Sequence, residues 1–222
     1  MLLQANSRRL LIIATILLLV VSSIVTTVFF ESSKEGLLGQ RLHSQHELLG
    51  IAEDDVVFIG DDLTAEALWS ELFPELSVRN RGMNGQTTEE MLLRLPNIAQ
   101  ARPRIVLINS GASDLEALKP PAQIIANMRE AVNLLQSFSP ASRLIIVGVL
   151  PTSTESMVAT DELNHSLRQL SQTHALEFID LSSALLDGNG RFMEGLADRR
   201  SRLHGAGYAK WRDLLKPHLV NL

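Results

Sequence analysis

From Asp55 onward, short runs of β-branched and aliphatic residues alternate with longer amphipathic segments, and this alternation constrains the fold more than any other feature of the chain. A short apolar run without polar interruption suits a strand buried on both faces. Strands of that kind, alternating with helices, pair in parallel through right-handed crossovers. The runs predict strands at Val56–Ile59, Ile105–Asn109, Leu144–Val149 and Glu177–Asp180, with a shorter one at Ser77–Asn80. Helices are predicted near Thr64–Leu72, Thr88–Leu95, Pro121–Ser137, Asp161–Thr173 and Tyr208–Leu219. Thr87 or Thr88 can cap a helix ahead of Glu90, and Pro121 suits a first helical turn. The expected architecture over residues 55–222 is a three-layer α/β/α domain with a five-stranded parallel sheet, binding any ligand at the carboxyl ends of its strands. Pro, Gly and Ser are dispersed and no repeat is visible, so a single domain is expected.

Ahead of this domain, Leu10 to Phe30 form 21 residues without a charge. As a helix they would reach about 31 Å, the thickness of a hydrocarbon core. Arg8 and Arg9 precede the run, and Glu31, Lys34 and Glu35 follow it, so the positive-inside rule puts residues 1–9 in the cytoplasm and exports the domain. Residues 10–30 are read as one transmembrane signal anchor. A cleaved signal peptide is the competing reading, but the run exceeds the usual apolar core and no small-x-small site follows. Residues 31–54 then form a juxtamembrane stalk, in which Leu38, Leu42 and Leu49 allow an amphipathic helix or a solvated tether.

The net charge of -5 and the scattered Lys and Arg give no footprint for nucleic acid. The sequence has no cysteine, which excludes disulfides, thiolate catalysis and cysteine-bound metals. His43, His46, His165, His174 and His218 fall in the stalk or on helices without the clustering of metal ligands, so neither metal nor cofactor is expected.

Three candidate segments follow strands. Ile59-Gly60-Asp61-Asp62-Leu63-Thr64 comes directly after the first, Asn80-Arg81-Gly82-Met83-Asn84-Gly85-Gln86-Thr87-Thr88 after the second, and Ser110-Gly111-Ala112-Ser113-Asp114-Leu115 after the third. Gly207-Tyr208 stands at the start of the last predicted helix. In this order and on these strand ends, the segments resemble the blocks of the SGNH/GDSL hydrolases, a family of GDSL-like lipases and esterases with a flavodoxin-like fold. The resemblance spans roughly Asp55 to the C-terminus. It implies that position 62 is the nucleophile position, here Asp62, and that Gly85 and Ser113 stand at the oxyanion positions, Ser113 where the family has asparagine. Counting back from Gly207-Tyr208, it puts Arg202 at the histidine position and Arg199 at the aspartate position. The chain thus resembles a degenerate member whose catalytic Ser, His and Asp positions are all substituted.

These substitutions bear directly on chemistry. Acyl transfer on this template needs a hydroxyl, a base within hydrogen-bond reach of it, an orienter for the base, and donors for the oxyanion. A carboxylate at position 62 has no proton to give up, and guanidinium at position 202 has no lone pair with which to accept one. The new side chains are charge-complementary, however, and an Asp62–Arg202 or Asp62–Arg199 ion pair closing the site is expected. Gly82 and Gly85 also suit a loop that needs positive φ. Trp69, Tyr208 and Trp211 are expected to pack against the sheet.

Three functional expectations stand beside one another. The first is a membrane-anchored, exported protein that binds a protein partner or an envelope glycan or lipid without catalysis. The second is an esterase or O-acyltransferase acting on lipid or polysaccharide esters through a rearranged site with His204 as an alternative base. The third is a metal-dependent phosphoesterase using Asp61, Asp62 and Asp114, although Arg neighbours would compete with the cation. Ser110, before a glycine at a strand end, reads more simply as a turn residue than as a substitute nucleophile.

Overall fold

The computed structural model describes residue 22 and residues 39–153 and 156–219. The predicted membrane segment therefore lies, Ser22 apart, outside the described residues. Among the described residues no helix is long and apolar enough to cross a membrane. Residues 39–48 are helical, as one of the two readings of the stalk expects, and belong to a unit separate from Leu49–Leu222.

In the larger unit the strands are β1 (Val56–Gly60), β2 (Val78–Asn80), β3 (Ile105–Asn109), β4 (Arg143–Val147) and β5 (Glu177–Ile179). They form one parallel five-stranded sheet in the order β2-β1-β3-β4-β5. The helices are α1 (Asp62–Glu66), α2 (Trp69–Leu72), α3 (Thr88–Gln100), α4 (Ala112–Glu116), α5 (Pro121–Phe138), α6 (Met157–Thr173), α7 (Ser182–Leu185) and α8 (Gly205–Leu219). The two-residue period of the strands divides the core cleanly. Val57, Ile59, Val106, Ile108, Leu144 and Ile146 pack against α3, α5 and α6, whereas Val56, Phe58, Ile105, Leu107, Ile145 and Val147 pack against α2, α7 and α8. Burying each such aliphatic side chain contributes roughly 1.5–3 kcal/mol before the entropy of ordering it is counted.

Most predicted boundaries shift by one to four residues, α4 and α7 have no predicted counterpart, and two differences are larger. The single helix expected over Thr64–Leu72 is two short ones, broken where Ala67 takes an extended conformation (φ -78°, ψ 140°). The break frees Trp69 to stack on Phe58 at 4.2 Å between centroids and to meet Trp211 edge-on at 5.0 Å. The helix expected to end at Leu95 instead runs through Pro96 to Gln100. Its start carries a full capping box, with Glu90 N–H donating to Thr87 Oγ1 and Thr87 N–H donating to Glu90 Oε2.

The register positions the site. Gly60 pairs with Asn109, so β1 and β3 end level and the chain leaves both toward the same edge, through Asp61-Asp62 and through Ser110-Gly111. That shared edge brings together residues far apart in sequence.

Candidate functional site

Asp62 opens α1, and its carboxylate is held from three sides. The Gly85 N–H donates to Oδ1 over 3.2 Å, the Ser113 hydroxyl donates to Oδ2 over 3.3 Å, and Arg202 Nη1 lies 3.1 Å from Oδ1. The same nitrogen donates to Glu66 Oε1 over 3.1 Å, so one guanidinium bridges two carboxylates a helical turn apart. Burial alone would lower the Arg202 pKa, but the charges of Asp62 and Glu66 outweigh it and hold the group above its ordinary value. Glu66 moves upward, through burial first, with Asp62 and Asp198 adding to it and Arg202 opposing.

The loop that aims Gly85 is built from its neighbours. Gly85 sits at φ +68°, a conformation that a side chain would strain. Gly82 serves differently from the expectation of positive φ: a Cβ there would lie 2.5 Å from the Ala65 backbone nitrogen, so its role is to let α1 approach. Asn80 Nδ2 donates to the carbonyls of Thr64, Ala65 and Ala67, while its Oδ1 accepts from Gly82 N–H. From below, the buried Arg94 donates through Nε to Gln86 Oε1 (3.0 Å) and through Nη2 to the Arg81 carbonyl (2.6 Å). Burial, with the neighbouring charge of Arg81, pushes its pKa down to about 10.

Asp61 ties the site to the other strand end. It is 2% exposed, and its Oδ2 accepts the N–H groups of Ala112 (3.1 Å) and Ser113 (3.3 Å), which fixes the start of α4 and thereby the Ser113 hydroxyl. Burial pushes its carboxyl up to about 7, against the pull of the Ser113 N–H, and the charge of Asp62 adds to the rise. Asp114 is committed elsewhere, accepting the Thr88 N–H (2.7 Å) and hydroxyl (2.9 Å), with Lys119 Nζ at 3.7 Å.

The remaining candidates lie apart from this cluster. The carboxylates of Asp61, Asp62 and Asp114 do not converge, and among the described residues no group of three potential ligands could hold a metal ion. That corrects the phosphoesterase expectation: each carboxylate is spent on donors from its own surroundings. His204 is exposed, its backbone N–H donates to the Leu196 carbonyl, and it interacts electrostatically with Asp198. Arg199 forms no ion pair among the described residues and lines a neighbouring cleft, so of the two expected pairs with Asp62 only that of Arg202 forms. Ser110 is 1% exposed and its Oγ has no hydrogen-bond partner among the described residues, so nothing prepares it as a nucleophile. Tyr208 donates its hydroxyl to the Leu63 carbonyl at 2.9 Å, anchoring α8 to α1, and burial raises its pKa.

Chemically, two donors of the kind that stabilise an oxyanion already hold a resident anion, and a guanidinium pairs with it. Sequence reasoning missed Glu66, whose signal was its place four residues after Asp62. It also missed Arg94, and for Asp61, whose family counterpart serves its own loop's hydrogen bonds, it missed the partners Ala112 and Ser113. Arg94 lies at helical spacing among Met91, Leu95 and Ile98, a pattern that marks it as inward-facing.

The family model for the GDSL-like Lipase/Acylhydrolase family matches residues 58–210. Among curated proteins the chain is similar to the platelet-activating factor acetylhydrolase IB subunit alpha2 of Homo sapiens, 28% identical over 171 residues that cover 71% of this chain and 72% of that protein. It is also similar to the alpha1 subunit of Rattus norvegicus, 32% identical over 105 residues, 45% of this chain and 44% of that one. Among solved structures it is similar to a GDSL-like lipase from Bacteroides thetaiotaomicron, with a TM-score of 0.72 and 19% identity over 81% of this chain and 96% of that one. The lipase/acylhydrolase from Enterococcus faecalis has a TM-score of 0.64 and 21% identity, covering 75% and 95%. These structural likenesses speak for the fold.

Proposed function

Because this chain belongs to the GDSL-like lipase/acylhydrolase family, we propose that it is a member in which serine-hydrolase chemistry has been lost, and that it acts by binding a protein partner or an envelope glycan or lipid. One observation carries the reading: the Asp62 carboxylate occupies the donors that an ester oxyanion would need, accepting from Gly85 N–H and Ser113 Oγ while paired with Arg202. An incoming acyl group would have to displace a charge-assisted anion and would meet no hydroxyl behind it. His204 does not alter this, since Asp62 offers it no proton to remove.

The proposal includes a membrane tether. The 21 uncharged residues from Leu10 to Phe30, with Arg8 and Arg9 before them, support a single anchor with its N-terminus in the cytoplasm and the folded domain outside. A domain so tethered meets ligands of the envelope rather than those of the cytoplasm.

The test is turnover. The two curated relatives named above are subunits of a platelet-activating factor acetylhydrolase, so aryl acetates are the first substrates to offer, and no hydrolysis above the buffer rate is expected from the full chain. Turnover that disappears on Asp62→Ala or His204→Ala would defeat the reading in favour of a working esterase or O-acyltransferase. Fractionation with membranes after an alkaline wash, and protease protection of residues 1–9 but not of the domain, is the expected result for the tether.

A further inference from the structure

Beside the Asp62–Arg202 pair lies a cleft of about 500 Å³, within the range that small ligands occupy. It opens between the loop after β4 and the stretch that runs from α7 to α8. Pro151, Met157 and Phe192 give it apolar walls, and Arg191 and Arg199 bring two cations to it. Neither arginine has an ion-pair partner within 4 Å among the described residues, and Asp187 acts on Arg191 only through its charge.

The nearby acids are already engaged. Asp187 Oδ1 accepts the N–H groups of Asn189 and Arg191, and Asp198 Oδ1, which also lies on the cleft, accepts those of Arg200 and Arg202. These are self-contained turns that present an arginine beside or after them. Between Arg199 and Arg202 the backbone reverses at Ser201, a non-glycine residue at φ +61°. Its hydroxyl donates to the Thr152 carbonyl at 3.0 Å and holds the conformation. A β-carbon-bearing residue stays in the left-handed region only where its surroundings fix it, and such residues gather at binding sites. Here the reversal lets Arg202 turn to Asp62 while Arg199 lines the cleft.

We infer that this cleft is a binding site for a small molecule carrying a phosphate or carboxylate group, which Arg191 and Arg199 take up while the body of the molecule lies on Pro151, Met157 and Phe192. Guanidinium groups match the planar oxygens of either anion in bidentate fashion, and neither of these two lies within ion-pair distance of an acid among the described residues, although Asp198 shares the cleft and the charge of Asp187 acts on Arg191, so both can take up an external anion. The inference rests on the non-catalytic reading, since it gives the domain a ligand in place of a substrate.

Isothermal titration calorimetry of the full chain at low ionic strength tests it, with sn-glycerol 3-phosphate and glucuronate as probes. Saturable binding of at least one is expected, weakened about tenfold or more by Arg191→Gln or Arg199→Gln and weakened also by added salt. Which probe binds separates a phosphate-bearing ligand from a sugar acid. No saturable binding of either probe, or equal affinity in both variants and the wild type, overturns the inference. Both arginines are exposed, so the variants keep the fold, as equal melting temperatures would verify. Aryl-acetate turnover measured on the same samples keeps the two readings apart: hydrolysis defeats the non-catalytic one whatever the calorimetry gives, whereas silent calorimetry without turnover removes the cleft alone.

Discussion

Arg202 Nη1 stands 3.1 Å from Asp62 Oδ1 and equally 3.1 Å from Glu66 Oε1, so a single guanidinium holds two carboxylates that would otherwise repel each other across one helical turn. Their side chains retain 39%, 17% and 35% of their exposure, which places the cluster between a surface pair and a buried one. Solvent screening therefore discounts the coupling to about 1 kcal/mol. Arg202→Ala is expected to destabilise the domain by about that much and lower its melting temperature by roughly 2–4 °C. Asp62→Ala combined with Arg202→Ala should cost less than the two single changes together. Strict additivity in that cycle, measured by chemical denaturation, would remove the ion pair as an energetic unit.

Restoring the family's side chains should restore chemistry, because the scaffold around the site is intact. The variant Asp62→Ser, Arg199→Asp and Arg202→His is expected to hydrolyse aryl acetates above the background of the wild type. Adding Ser113→Asn should raise kcat by about tenfold or more, since a single oxyanion donor of proper reach contributes on the order of 10²–10³ in rate. The assay is initial rate against substrate concentration. A triple variant that folds but shows no turnover would mean that the loop carrying positions 199 and 202 no longer presents a base to position 62.

How much of this was legible beforehand depends on the length of the signal. The strands were readable because each is a continuous apolar run, and β3 falls on the predicted Ile105–Asn109 without adjustment. The break after Glu66 was not, because Ala67 and Leu68 are ordinary helix formers and what accompanies the turn is tertiary: Trp69 stacks on Phe58, and Asn80 Nδ2 donates to the carbonyls of Thr64, Ala65 and Ala67. In the site, Arg202 was reachable by counting from Gly207-Tyr208 and matching charges. Asp61 was not: its two bonds to the start of α4 depend on the register of Gly60 with Asn109, which no local pattern encodes.

Arg94 offers a test of how the Gly85 loop is held. It is 8% exposed and donates to Gln86 Oε1 and the Arg81 carbonyl, so Arg94→Met preserves the volume but leaves both acceptors unmatched. The expected cost is about 2 kcal/mol of stability, read by denaturant unfolding. In the restored-serine background the same change should lower kcat more than it alters KM, because it loosens an oxyanion donor without touching a binding contact. An unchanged kcat would show that Gly85 is held by Asn80 and Gly82 alone.

Asp61 should leave its mark on the pH dependence of folding. Its pKa rises from an ordinary carboxylate value to about 7 on folding, chiefly through burial, so between roughly pH 4 and pH 7 the folded state holds a proton that the unfolded state has released. Stability from this group is full below the unfolded value, falls as pH rises through that window, and levels off above it. A shift of about three units corresponds to roughly 4 kcal/mol at most, and proton sharing with the nearby Asp62 carboxylate will make the observed fall smaller. Asp61→Asn keeps an oxygen for the Ala112 and Ser113 N–H groups and removes the titration. The difference in unfolding free energy between wild type and Asp61→Asn, followed by urea denaturation from pH 4 to pH 8, should therefore move steadily in favour of the variant as pH rises. Parallel curves across that range would mean that Asp61 is already ionised in the folded domain, its charge carried by the two backbone donors and not relieved by a proton.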